Sequence, residues 1–195
     1  EGANLFITQD ARLKLEEKGV ILFKDSSTNK GGVISSSMEV FAGLALTDEE
    51  YDRLMVVRPD GRVPAFRERY VREVVEIVTR KADLEFELLW KTHNDLGTPL
   101  SVLSETVSAK INEITRAIEE SSLFENETIR RNAFKQHVPE ALQEQIGMEA
   151  IFQRVPESYQ RAVFARSMAS GFIYSCGIEA GFEDYRRYVE ELSKS

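Results

Sequence analysis

A single cysteine, Cys176, serves all 195 residues, so no intrachain disulfide framework exists and a reducing, intracellular setting, cytoplasmic or mitochondrial, is expected. Histidine is almost as scarce. His93 and His137 are the only two, neither has a partner at metal-ligand spacing, and no metal site is expected. Cationic charge is in deficit: 25 Lys and Arg against 33 Asp and Glu leave a formal charge of −8. The pI is about 5.0, and neither nucleic acid nor an anionic membrane is an expected partner. No apolar run is long enough to span a bilayer, and no signal-peptide pattern opens the chain. A G-x-G-x-x-G phosphate loop is also missing, since Gly171, Gly177 and Gly181 follow no strand-like segment. The chain opens on Glu1 in "EGANLFI", without an initiator Met, and is expected to be cut from something longer.

What remains is a chain 42% hydrophobic and 30% charged, enough for one or two units with a real core. "TQDARLKLEEKG" predicts a helix capped by Thr8, with Asp10 suiting its first turn and Gly19 its end. The unbroken Val20-Ile21-Leu22-Phe23 run predicts a strand buried on both faces, with "EGANLFI" as the end of a preceding strand. Strand, helix, strand, then a glycine-rich loop opening a helix is βαβα order. Residues 1–46 are therefore expected to be a partial Rossmann-type α/β segment, the C-terminal part of a dinucleotide-binding domain. Residues 47–195 are expected to form a helical region, so the whole is mainly α.

Within that region Thr47 and Glu50 have the spacing of a capping box. Val71, Val74, Val75, Val78, Ala82, Phe86 and Leu89 step by threes and fours along a helix of roughly 30 residues, broken at Gly97-Thr98-Pro99. Leu100, Leu103, Val107, Ile111, Ile114 and Ile118 then repeat almost as a heptad seam, and the two helices read as an antiparallel hairpin.

Chemistry concentrates in "DSSTNKGGVISSSMEV", Asp25 to Val40. Gly31 and Gly32 permit close backbone approach, and Ser35, Ser36 and Ser37 place hydroxyls in the first turns of a helix. At the carboxyl end of a parallel strand this is where ligands sit. The same residues also suit a glycine-eased turn with serines satisfying free N–H groups. Asn4 and Asn29 would flank one crevice, and an amide both donates and accepts, as a carboxamide or ribose requires. Cys176 in "FIYSCG" reads as buried packing.

"EGAN", followed after one helix and one strand by "NKGGVISSSMEV", resembles the glutamate dehydrogenase family, and the string from Gly2 to Val40 looks like its large NAD-specific fungal members. "RVPESYQRAVFARSMASGFIY" is similar to their helical C-terminal region. The resemblance implies NAD as cofactor and L-glutamate and 2-oxoglutarate as substrate and product. It implies Asn4, Asn29, Gly31 and Gly32 beside the nicotinamide end of the cofactor, and Ser36 bound to the glutamate side-chain carboxylate. Leu5, Phe6 and Lys30 depart from the pattern of the common small enzymes. The catalytic lysine and aspartate lie upstream in that family, so no catalytic residue is expected here and the chain alone is expected to be inactive. Its partners would be the rest of the same polypeptide and further copies in a homo-oligomer. A second reading takes the helices as an assembly or regulatory module with no ligand of its own, and an exposed second apolar stripe on the hairpin would favour it.

Overall fold

The computed structural model describes residues 1–194, and among them every regular element is helical. Ten α-helices follow in order: α1 (Gln9–Glu16), α2 (Asp25–Thr28), α3 (Lys30–Ala45), α4 (Asp48–Met55) and α5 (Ala65–Leu96), then α6 (Leu100–Glu119), α7 (Glu127–His137), α8 (Glu140–Arg154), α9 (Glu157–Cys176) and α10 (Phe182–Leu192). A 3-10 turn, Leu123–Glu125, links α6 to α7.

The partial Rossmann-type α/β segment expected for residues 1–46 is not there. Val20–Phe23 runs without regular structure, and so does the "EGAN" segment. A strand exists only through its ladder, and these two segments share just one backbone contact, from the Glu1 amino group to the Phe23 carbonyl, 2.9 Å. With no sheet to enter, Val20 and Ile21 remain 45% and 63% exposed, and Leu22 alone is buried. The expected Gly31-Gly32 loop is likewise absent, since both residues lie in the first turn of α3.

The helical grammar was legible. Thr8 caps α1 through its hydroxyl, and Thr47 and Glu50 form a reciprocal capping box on α4. The long helix α5 runs 32 residues and ends at Gly97, whose φ of 68° is a left-handed conformation. Its buried face carries Tyr70, Val74, Ile77, Glu85 and Leu89, whereas Val71, Val75 and Phe86 are exposed. Two apolar stripes therefore run along α5, and only one is inward. The chain does turn back into α6 at Gly97–Pro99, but the seam of α6 packs chiefly on α9.

One continuous core joins these pieces. Met38, Phe41, Ala42 and Ala45 of α3 meet Tyr70 and Val74 of α5, Leu142 and Ile151 of α8, and the Phe164–Ile173 stretch of α9. The Tyr70 hydroxyl donates to the Met38 carbonyl at 2.7 Å, tying α3 to α5 inside that core.

Candidate functional site

The start of α3 is assembled by charges that sit close by in the fold but far apart in sequence. The Arg12 guanidinium donates to both Glu1 carboxylate oxygens, at 2.8 and 3.0 Å, and both side chains are almost fully covered. Asp25, itself buried, accepts the N–H groups of Leu5 at 2.7 Å and Ser26 at 2.8 Å. Those bonds hold Leu5 at φ 55°, a conformation a non-glycine residue adopts only when its surroundings fix it. Hydrogen bonding to Arg12 takes Glu1 down to about 2, and the N–H of Leu5 holds Asp25 below the usual carboxylate range. This network was not read from the sequence. The one signal was Asp25 followed by Ser-Ser-Thr, a string that reads locally as an ordinary helix entrance.

The network brings the "EGAN" segment against the end of α2. The Asn29 side-chain amide donates to the Asn4 carbonyl oxygen, and also reaches the Gly2 carbonyl at 3.4 Å. That pairing leaves the Asn4 NH2 group as a donor and the Asn29 carbonyl oxygen as an acceptor, side by side. Gly31 and Gly32 follow in the first turn of α3. A Cβ on Gly31 would meet Val78 of α5 at 3.5 Å, an ordinary contact, while one on Gly32 would meet nothing. The close approach at Gly31 is therefore to a neighbouring helix, and the open space lies over Gly32. Ser35 and Ser36 are exposed, each hydroxyl donating to the carbonyl three residues back at 3.1 Å. Ser37 turns inward towards Tyr159.

Lys30 does not face solvent. Its ammonium pairs with the buried Glu85 carboxylate, and Tyr174 completes a triad through hydroxyl contacts of 3.0 Å to Lys30 and 2.5 Å to Glu85. Burial, then the charges of Arg166 and Lys81, pull Lys30 down to about 8. His93 closes the end of α5 with a ring-nitrogen contact to the Thr98 carbonyl at 2.7 Å. Cys176, expected in packing, is exposed at the end of α9, because Gly177 ends the helix there and carries the chain away. Among the described residues no cluster could hold a metal ion.

Residues 1–97 match the Glutamate/Leucine/Phenylalanine/Valine dehydrogenase family, a match that takes in Asn4, Asn29, Gly31, Gly32 and Ser36 but not Tyr159 or Tyr174. The chain as a whole is 46% identical over 194 residues, its full length, to glutamate dehydrogenase 2 of Dictyostelium discoideum. It is 46% identical over 177 residues, 91% of the chain, to the NAD-specific glutamate dehydrogenase of Neurospora crassa, and 37% identical over its full length to that of Saccharomyces cerevisiae. The resemblance to the NAD-specific glutamate dehydrogenases is thereby borne out along the whole chain. The chain spans only 18%, 17% and 18% of the length of these three relatives. No solved structure matches it.

Proposed function

We propose that the chain is a segment of an NAD-dependent glutamate dehydrogenase that oxidatively deaminates L-glutamate to 2-oxoglutarate and ammonium inside the cell, in the cytoplasm or a mitochondrion. The observation that carries this reading is similarity along the full chain to proteins named as glutamate dehydrogenases. The residues present fit one edge of a dinucleotide: a free amide donor and acceptor at Asn4 and Asn29, and open space over Gly32. NAD, when bound, supplies the hydride acceptor. This chain's own part is to orient: Asn4, Asn29, Gly31 and Gly32 beside the cofactor, and Ser36 donating to the glutamate side-chain carboxylate. Exposed Leu5, Phe6 and Val33 adjoin that edge along the chain and leave apolar surface there, which suits cover by the rest of a longer polypeptide.

The purified 195-residue chain is expected to show no glutamate-dependent NAD reduction. Turnover by this chain, free of longer contaminants, would remove the division of labour proposed. A second reading draws on α5, where Val71, Val75 and Phe86 leave an outward stripe 48%, 57% and 49% exposed. That stripe suits packing between copies in a homo-oligomer. Analytical ultracentrifugation of the parent with Val75→Lys would show a shift to smaller species if α5 is an interface, and no shift if it is not.

A further inference from the structure

The inward face of α5 holds a second charged residue one turn before Glu85, and this one has no partner. Lys81 is half-buried, and no carboxylate or other acceptor reaches its ammonium among the described residues. It opens on a cavity of about 280 Å3 enclosed by α5, α7, α9 and α10. Its polar lining includes Lys81, His137, Tyr174, Tyr188 and Arg80, whose guanidinium also donates to the Gln136 carbonyl at 3.4 Å, and no Asp or Glu lines it. In a chain with a formal charge of −8, an acid-free cavity with two cations is a local inversion of sign. Glu85, the carboxylate nearest in sequence on this face, is already taken up by Lys30 and Tyr174. The His137 Nδ1 atom is buried there without any hydrogen bond. Gly171 leaves room for the Tyr188 hydroxyl against α9, since a Cβ at that position would collide with it.

Two costs are left standing by this arrangement: an ammonium withdrawn from water and a polar nitrogen with nothing to bond. Burial, with Arg80 and Arg166 nearby, pulls Lys81 down to about 8, and burial with Lys81 and Arg80 pulls His137 to about 3. Near pH 7 the lysine is therefore still cationic and the imidazole neutral, able to offer an N–H donor. A bound anion would remove both costs together.

The geometry points to a binding site for a small oxyanion, a carboxylate or phosphate group, with Lys81 and Arg80 as its charge partners and His137 and the Tyr188 hydroxyl as hydrogen-bond donors. Two or more cationic donors beside neutral ones is the arrangement that holds such groups. The cavity is distinct from the "EGAN" edge but shares Tyr174 with it, since that hydroxyl also contacts Lys30 at the start of α3.

Titration of the 195-residue chain with inorganic phosphate and, separately, with succinate at constant ionic strength tests this. At least one probe should bind saturably with a dissociation constant of about 1 mM or tighter, and shift the His137 ring resonances in NMR. Phosphate alone saturating assigns a phosphate group, and succinate alone a carboxylate. Lys81→Met should weaken binding at least tenfold while circular dichroism stays unchanged, and Lys81→Arg should retain it within a few-fold. Absence of any saturable response beyond the sodium chloride control overturns the proposal. So does full binding by folded Lys81→Met. Should Lys81→Met not fold, the His137 shifts in the wild-type chain decide alone.

Discussion

Gly31 and Gly32 are neighbours in one helical turn, yet a side chain would do different things at each. Gly32 has open space around it and φ in the ordinary helical range, so an added methyl meets nothing and reduces the freedom of the unfolded chain. Gly32→Ala should raise stability by about 0.5–1 kcal/mol in urea unfolding of this chain. In the parent enzyme the same change should weaken NAD affinity, because the open space over Gly32 is where the cofactor edge is proposed to lie. A gain in stability with unaltered NAD affinity would make Gly32 merely a helix residue. Lys30 belongs to the same turn and supports it from below. Lys30→Met leaves the Glu85 carboxylate buried without its cation and should cost about 3–5 kcal/mol. The double variant Lys30→Met/Glu85→Leu should recover most of that loss, and failure to do so would show that the triad is not the source of the cost.

His137 carries a prediction with a definite sign. Burial first, then Lys81 and Arg80, holds its folded value at about 3, below the 6.5 of an exposed imidazole. Below pH 6.5 the unfolded chain takes up a proton that the folded chain refuses, so stability is complete above that value and is lost as pH falls towards 3. The Glu1–Arg12 pair acts in a lower window, since Glu1 is depressed from 4.5 to about 2 and its contribution disappears only below pH 4.5. Melting temperature measured from pH 7.5 down to about 5 covers the histidine's window, and the slight contribution of Lys30 and Lys81 at its upper end is common to wild type and variant. The wild-type chain should lose stability across that range, and His137→Gln should give a flatter profile; equal slopes would mean that the imidazole is not held neutral.

At the scale of the element, α8 shows how a glycine sets helix direction. Gly147 breaks it internally at φ 78° and ψ 154°, a backbone region almost confined to glycine. Nothing lies within reach of an added Cβ, so Gly147→Ala would act by backbone strain alone and should cost about 1–3 kcal/mol. Chemical denaturation with an unchanged m-value would confirm a pure stability effect, whereas no loss would mean that the bend is not needed. The same contrast explains what the sequence disclosed. Helices were legible because their caps and periodicity are local, as at Thr8, Thr47 and Gly97. The two expected strands were not, because Val20–Phe23 has strand composition but its state depends on a partner that composition cannot supply. On α5 the apolar residues alone pointed to a mixed stripe through Val71, Val75 and Phe86. The true inward face was obscured because it carries Lys81 and Glu85, and a charged residue normally marks the outer side.

For the whole molecule, one core binds the proposed cofactor edge to the helices behind it, through Met38 and Phe41 of α3. Asn4 and Asn29 are expected from sequence to flank one crevice because each falls at the same edge of a sheet; among the described residues that sheet is absent, yet the two amides are in contact. The Arg12, Glu1 and Asp25 network that holds them was beyond the sequence, since it joins residues up to 24 positions apart through burial. The most direct test of the central claim is the steady-state rate of NADH formation from L-glutamate by the parent enzyme carrying Ser36→Ala. Ser36 is exposed and bonded only to the Val33 carbonyl, so its loss should leave folding intact. A hydrogen bond to a charged carboxylate is worth roughly 1.5–3 kcal/mol, so kcat/KM for glutamate should fall by about one to two decades. The KM for NAD should change little. Unchanged glutamate kinetics would contradict the account and leave Ser36 a solvated helix residue.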